Sequence, residues 1–264
     1  MGGTLSSRIS GTVSPEYSMT YNPFSLTGKT ILVTGASSGI GRAIAIECSR
    51  LGANLVITGR NRERLQETLS AMEGKGHTIV LADIANSEGL ELLVAALPPL
   101  DGVVHSAGVL KRLPLKFVNE ANLAELMQIN FMAPALLTRY LYKKQLLTNE
   151  ASIVFISSVA SSFASLGNIM YMASKGALNS FMKGIALELA SSGIRANAVQ
   201  PGMVKTKLTV LISDSEIEKD VNRYPLGRYG TPEEVAYGAI YLLSDATKWI
   251  TGTLLTIDGG LTLR

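Results

Sequence analysis

The chain has little sulfur or imidazole chemistry to work with: among its 264 residues there is one cysteine, Cys48, and two histidines, His77 and His105. A single cysteine excludes an intrachain disulfide and fits a reducing, cytoplasmic setting, with Cys48 read as a small hydrophobe inside a helix. Two isolated histidines, with no HExxH and no Cys/His cluster, offer no ligand set for zinc, so no metal site is expected. Charge of one sign is equally scarce, because 24 Lys+Arg stand against 21 Asp+Glu for a formal net charge of +3. Without a basic block or a basic-aromatic interleave, neither nucleic acid nor a membrane surface is expected as a partner. No apolar run reaches membrane-spanning length, and no basic segment leads into an apolar stretch and cleavage site, so neither a span nor a secretory leader is expected.

What is present is apolar: 47% of the residues are hydrophobic, enough for one sizeable core in a single domain. Residues 1–24 are rich in Ser, Gly and Thr, show no steady period, and are expected to be a flexible arm. Tyr17, Met19, Tyr21 and Phe24 could pack that arm on a neighbour. Residues 25–264 form the expected catalytic domain, with ordered structure beginning at Lys29.

Along that domain, short β-prone runs alternate with helical periods. Thr30–Thr34, Asn54–Thr58, His77–Ala82, Gly102–His105, Ser152–Ser157, Ile194–Gln200 and Thr253–Ile257 read as strands. Helices are expected from the Gly35–Gly41 turn to Leu51, over Arg62–Met72, up to Leu97, over roughly Leu123–Leu147, and from Tyr171 to Ser191. This alternation indicates an α/β fold, a Rossmann-like doubly wound parallel sheet with helices on both faces. Ligands in such sheets sit beyond the C-terminal strand ends, near the topological switch.

The first strand-to-helix turn carries Gly35-Ala-Ser37-Ser38-Gly39-Ile40-Gly41. Gly35 can turn tightly, Gly39 admits a pyrophosphate to the backbone, and Gly41 lets helix and strand approach. The N–H groups opening the helix would then face phosphate charge. At the end of strand two, Gly59 stands where an acid would meet the ribose hydroxyls of NAD, and Arg60 follows. An arginine there pairs with the additional phosphate of NADP(H); the competing reading is a solvated surface charge. After strand three, Asp83 and Ile84 could hydrogen-bond and cover the adenine.

Thr34-Gly-Ala-Ser-Ser-Gly-Ile-Gly41, Asp83, Ala107-Gly108, Asn130, Ser158, Tyr171-Met-Ala-Ser-Lys175 and Pro201-Gly202 occur in one order. That constellation, running from about Leu26 to the C-terminus, resembles the short-chain dehydrogenase/reductase family. Pro225-Leu-Gly-Arg-Tyr-Gly-Thr-Pro-Glu-Glu234 places the resemblance nearest the 3-oxoacyl-[acyl-carrier-protein] reductases, although sugar, steroid and small-alcohol enzymes share much of it. The resemblance implies an NADP(H)-dependent oxidoreductase. It gives Ser158 as the serine that orients the reacting carbonyl and Lys175 as a contact to the nicotinamide ribose. Asn130 would hold a water that links the lysine to solvent. Ser106, Ala107, Gly108, Pro201, Gly202, Val204 and Thr206 complete the implied cofactor contacts, and residues 203–224 the substrate lid. Ser106 and His105 stand where many relatives have two asparagines.

Tyr171 and Lys175 lie four residues apart on a helix and can face one side of the cleft. Carbonyl reduction needs a proton for the oxygen, and an ammonium beside the phenol is expected to draw its pKa down from about 10. Pro134 cannot donate to the Asn130 carbonyl, so a free carbonyl and a bend are expected there. The substrate is expected to be a ketone, with a 3-oxoacyl group on an acidic acyl carrier protein as one candidate. Arg139, Lys143, Lys144 and Arg195 would supply the complementary charge. A free small ketone, sugar or steroid alcohol, and a non-catalytic cofactor-binding scaffold, are the alternatives. The helices carrying Asn130 and Tyr171 resemble those that pair around a two-fold axis in this family, so a homodimer or homotetramer is expected.

One consequence is open to kinetics. Arg60→Ala is expected to raise KM for NADPH while leaving KM for NADH unchanged, because only the additional phosphate loses a charge-assisted contact. Equal losses with both cofactors would remove Arg60 as the discriminator.

Overall fold

Strands covered on both faces must be apolar on both faces, and these are. In β1 (Thr30–Thr34) Ile31 and Val33 join one core cluster while Leu32, between them, joins the other. Val154 and its neighbours Ile153 and Phe155 divide in the same way on β5 (Leu147–Ile156). The computed structural model describes residues 21–206 and 220–263. Its seven strands form one parallel sheet in the order β3-β2-β1-β4-β5-β6-β7. The remaining strands are β2 (Asn54–Gly59), β3 (Thr78–Leu81), β4 (Leu100–His105), β6 (Arg195–Pro201) and β7 (Leu254–Ile257). The order reverses between β1 and β4, which opens a crevice at their C-terminal ends.

Helices α1 (Gly39–Arg50) and α7 (Pro232–Leu243) pack together on one face, burying Ile44, Cys48, Val235 and Leu243. On the other face α3 (Ser87–Ala95), α5 (Ala133–Lys143) and α6 (Ile169–Glu188) bury Leu93, Leu137, Leu141, Leu178 and Met182. The edge helix α2 (Arg62–Ser70) and the short α4 (Glu120–Met127) complete the α-helices among the described residues. Three asparagines, Asn61, Asn86 and Asn119, accept N–H bonds at the starts of α2, α3 and α4.

Several expected boundaries shift, each for a physical reason. Order begins before Lys29: Leu26 is fully buried, Phe24 lies tilted against Tyr241, and the Pro23 carbonyl accepts the Ala246 N–H. Of the expected arm, residues 1–20 lie outside the described residues. The helix expected to run from Leu123 to Leu147 is three pieces. A π turn, Gln128–Met132, separates α4 from α5, with the Ala133 N–H donating five residues back to Gln128. The helix then ends at Lys143; Gln145 takes a left-handed φ of 56° and the Leu100 N–H reaches the Leu146 carbonyl. β5 therefore starts at Leu147, although its regular register with β4 resumes only at Ser152.

Helix α7 escaped the sequence reading, yet its start is encoded. Thr231 Oγ1 accepts the Glu234 N–H at 3.3 Å and the Glu234 carboxylate accepts the Thr231 N–H at 2.9 Å, a reciprocal cap with Pro232 in the first turn. Arg228 grips the same carboxylate at 2.8 and 2.6 Å, and this pairing holds Glu234 at about 2, well below the usual carboxylate range.

Arg195 departs furthest from its expected role as surface charge. It is 8% exposed and donates to the carbonyls of Leu242 at 2.9 Å, Ser244 at 3.4 Å and Ile250 at 3.2 Å, closing the C-terminal end of α7. Arg139, Lys143 and Lys144 do remain exposed. Arg195→Met is therefore expected to lower unfolding free energy by about 2 kcal/mol, because buried carbonyls lose a charged donor. Urea titration followed by circular dichroism checks this; an unchanged midpoint would mean that water replaces the guanidinium without cost.

Candidate active site

The crevice at the sheet reversal is built around a close backbone contact. Gly35 has a φ of 67°, and a Cβ placed on it would lie 2.7 Å from the Ala107 Cα. A Cβ on Gly41 would lie 2.5 Å from the Gly35 carbonyl oxygen. Only glycine lets the turn after β1 nest against the loop after β4 in this way. The Thr34 hydroxyl reinforces the nesting by accepting the N–H groups of Ser106 at 3.1 Å and Ala107 at 3.2 Å. The start of α1 differs from those of α2, α3, α4 and α7: Ser38 sits at its N-cap in extended backbone but makes no side-chain cap. Its opening N–H groups therefore carry partial positive charge at a cleft wall without a cap from the Ser38 side chain.

That cleft encloses about 560 Å³. Ser37, Ser38, Gly39, Ile40, Arg60, Asp83 and Ile84 line one stretch of it. Ser106, Ala107, Gly108, Ser158, Tyr171, Lys175, Pro201, Gly202, Val204 and Thr206 line the rest. Asn130 alone of the candidates stands outside the lining. Asp83 Oδ1 accepts the Ala85 N–H at 3.1 Å, holding its loop, and Ile84 is buried beside it. Arg64, in the first turn of α2, also lines the cleft, so two arginines, Arg60 and Arg64, stand near the end of β2. Its place in the first turn of the expected Arg62–Met72 helix, just after Arg60, was the available sequence cue. Arg112 and Met203 line it as well, with Arg112 Nη2 at 4.0 Å from Met203 Sδ. Nothing in the local pattern of Arg112 separates it from a surface cation. Among the described lining residues Asp83 is the one carboxylate, against Arg60, Arg64, Arg112 and Lys175. A glycine turn, an uncapped helix start and paired arginines together fit a dinucleotide with an additional phosphate.

Tyr171 and Lys175, one turn apart on α6, meet Ser158 at the end of β5. Ser158 is extended (φ −165°, ψ 151°), starts a short 3-10 turn, and its Oγ accepts the Ala160 N–H at 3.1 Å. Burial pushes the Tyr171 phenol above its ordinary pKa, and the hydrogen bond with Ser158 opposes that rise. Lys175 does not deliver the expected lowering. Its ammonium is itself buried and donates to the Ile156 carbonyl at 2.8 Å, lying 5.7 Å from the centre of the Tyr171 ring. Burial draws the Lys175 amine down to about 8. Desolvation is thus the leading cause of both shifts.

Behind the cleft wall, the Asn130 amide clamps a turn. Its Oδ1 accepts the Val109 N–H at 2.8 Å, and its Nδ2 donates to the Val109 carbonyl at 2.9 Å and to Ser174 Oγ at 3.1 Å. A Cβ on Gly108 would lie 3.2 Å from Asn130 Oδ1 and 3.6 Å from Lys175 Nζ, so both groups converge on that glycine. The expected helix bend takes the form of the π turn that contains Asn130. His105 is buried, stacked on Phe155 at 4.8 Å, with Nε2 at 3.0 Å from Thr138 Oγ1. Burial lowers it to about 3, which keeps it neutral.

Of the expected lid, residues 207–219 lie outside the described residues. Its two described ends are joined. The Met203 N–H donates to the Tyr224 hydroxyl at 3.2 Å, Val204 bridges to Gly230, and Tyr224 packs edge-on against Tyr229.

Comparison with known proteins agrees with this geometry. Residues 35–262 match a family described as enoyl-(acyl carrier protein) reductase. A 3-oxoacyl-[acyl-carrier-protein] reductase of Rickettsia prowazekii is 36% identical over 236 residues, covering 89% of this chain and 98% of the relative. A gluconate 5-dehydrogenase of Gluconobacter oxydans is 34% identical over 248 residues, covering 91% and 97%. Among solved structures, a protein of Beutenbergia cavernae, provisionally described as an NAD(P)-dependent gluconate 5-dehydrogenase with bound NADP, superposes with a TM-score of 0.84 at 34% identity. That superposition covers 92% of this chain and 100% of the other. The chain belongs to the short-chain dehydrogenase/reductase family, and at the level of that family it is an NADP(H)-dependent oxidoreductase.

The lysine gives a pH test. Its folded pKa lies below the unfolded value, so between about 8 and 10.5 the unfolded chain holds more protons at this site. Its contribution to stability therefore rises with pH across that window. The unfolding free energy of wild type relative to Lys175→Met is expected to climb from pH 8 to 10. A flat difference would mean that the buried amine titrates as it does in water.

Proposed function

We propose that the protein reduces a ketone to a secondary alcohol with NADPH, Tyr171 giving the proton to the carbonyl oxygen. The observation that carries this reading is the convergence of Tyr171, Ser158 and Lys175 on the same cleft as the glycine turn and the paired arginines. Arg60 and Arg64 would hold the additional phosphate, Gly35–Gly41 the pyrophosphate, and Asp83 with Ile84 the adenine. When bound there, NADPH would supply the hydride chemistry. Ser158 orients the carbonyl oxygen as charge develops on it, and the Tyr171 O–H proton completes the alcohol. A phenol pushed above its ordinary pKa keeps that proton at neutral pH. Reduction is therefore favoured near pH 7, and the reverse oxidation, which needs phenolate, at higher pH. A water between the Asn130 carbonyl and Lys175 would return the proton to the phenolate, with the Asn130 side chain fixing the Gly108–Val109 turn.

The Rickettsia relative supports a 3-oxoacyl group on an acyl carrier protein as substrate, with Arg139, Lys143 and Lys144 as its docking charges. The Gluconobacter relative supports a second reading, a free small keto sugar or keto acid. Arg112 favours this reading, since it lines the cleft and has no carboxylate partner among the described residues. The exposed apolar side chains Tyr142, Ile169 and Leu187 on α5 and α6 support self-association through those helices, possible as dimer or tetramer.

Turnover of NADPH against NADH, with carrier-linked thioesters, free thioesters, keto sugars and simple ketones, separates these readings. Faster reduction of the carrier-linked thioester supports the first, and preference for a free keto acid the second. Tyr171→Phe is expected to lose at least 100-fold in kcat, within the roughly 10²–10⁴ supplied by a positioned acid, while still binding NADPH. NADPH binding without turnover of any carbonyl would favour a scaffold. Light scattering of the same preparation reads the oligomer, and a monomer at assay concentration excludes the α5–α6 contact.

A further inference from the structure

Gln200, in β6, is 5% exposed, and its amide is committed to the loop after β5. Its Nε2 donates to Ser161 Oγ at 2.6 Å and to the Ser158 carbonyl at 3.4 Å. Ser161 Oγ donates onward to the same Ser158 carbonyl at 2.8 Å, which also accepts the Ser161 N–H at 3.0 Å. Three donors thus converge on one peptide oxygen. On the other side of Ser158, the Ser157 N–H donates to the Val199 carbonyl at 2.8 Å. Val199 and Gln200, neighbours in β6, therefore hold the chain at the Ser157 N–H and at the Ser158 carbonyl.

Sheet formation does not require this grip. The β5–β6 register ends at Ile156↔Val199, and the Gln200 amide carries the connection beyond the last paired residues. Burying a primary amide costs free energy unless its hydrogen bonds are made, and a leucine of similar size would fill the space without that cost. What the amide adds is direction. It fixes the plane of the Ser158 peptide, and with it the line along which the Ser158 hydroxyl leaves the backbone. Pro201 and Gly202 follow Gln200 directly and line the same cleft as Ser158 and Tyr171, so the clamp also ties the loop after β5 to the loop after β6.

We infer that Gln200 and Ser161 are positioning residues for the reaction centre: together they lock the Ser158 carbonyl, and so hold the Ser158 hydroxyl at the Tyr171 phenol. The inference rests on the reading of Ser158 and Tyr171 as the proton-delivering pair. Misplacement of a reacting group by about 1 Å can cost on the order of 100-fold, and partial loosening less.

The test compares Gln200→Leu, Ser161→Ala and Ser161→Thr with wild type and with Tyr171→Phe, on whichever carbonyl substrate is turned over. Gln200→Leu and Ser161→Ala are expected to lower kcat roughly tenfold, within the range that a small misplacement allows. NADPH affinity, read by fluorescence, is expected to stay unchanged. In alcohol oxidation the ascending limb of the pH profile should move to higher pH, because the Ser158 hydrogen bond that restrains the phenol is weakened. Ser161→Thr, which keeps the hydroxyl, should restore both kcat and the pH profile. If Gln200→Leu does not fold, Ser161→Ala against Ser161→Thr carries the comparison alone. Unchanged kcat and pH profile, a loss matched by weaker NADPH binding, or equal damage in the alanine and threonine variants overturns the clamp. Full turnover by Tyr171→Phe overturns the reading of the reaction centre as well, whereas an inactive Tyr171→Phe beside unaffected clamp variants overturns the clamp alone.

Discussion

The backbone of Gly35 lies against the backbone of Ala107, and the functional half of the molecule follows from that contact. It sets the separation of the turns after β1 and β4, which are the two strands at which the sheet order reverses. Once those turns are nested, the start of α1 and the loop from Ser106 to Val109 face one another across the cleft. Asn130 then reaches the Val109 backbone from the π turn, and Lys175 comes up against the same face of Gly108. A side chain at position 35 or 41 would push these parts away from one another, with backbone as the obstructing atom at both places. Backbone cannot yield as a side-chain tip can.

The reaction end of the cleft is governed by burial more than by attraction between its polar groups. Tyr171 is pushed up and Lys175 is drawn down, so each is biased toward its uncharged form. The lysine's shortest bond is to the Ile156 carbonyl, and the tyrosine's restraint comes from Ser158. The two groups are arranged in parallel, each answered by the end of β5. Strand β5 is therefore as much a part of the chemistry as the helix that carries Tyr171 and Lys175.

Most of the fold could be read in the chain because both faces of the sheet impose the same demand. Ile31, Leu32 and Val33 are all apolar since each face is covered, and the glycine turn announces where the first helix begins. The candidate cleft residues were legible for a related reason: most follow strand ends, whose order the alternation of elements already implies, and Tyr171 and Lys175 lie on the helix that follows β5. What escaped was set by contacts distant in sequence. Arg195 resembles a surface cation until β6 is laid beside the end of α7. The end of α5 depends on Leu146 pairing with Leu100, which no local period reveals. Spacing placed Lys175 near Tyr171 but says nothing of the desolvation that raises the phenol and lowers the amine. Helix α7 is a different case, since the cap formed by Thr231, Pro232 and Glu234 was legible and was read only as a family motif.

The burial of Cys48 gives the chain a built-in clock. Its thiol is fully enclosed on the inner side of α1, and both burial and the neighbouring Glu47 push its pKa up, so the reactive thiolate is suppressed while the helix is seated. With no second sulfhydryl in the sequence, any covalent capture by an alkylating reagent records one event, the lifting of α1 from the sheet. The helix that opens toward the cleft at its N-terminal end thus carries, a few turns on, a chemical reporter of how often that cleft comes apart.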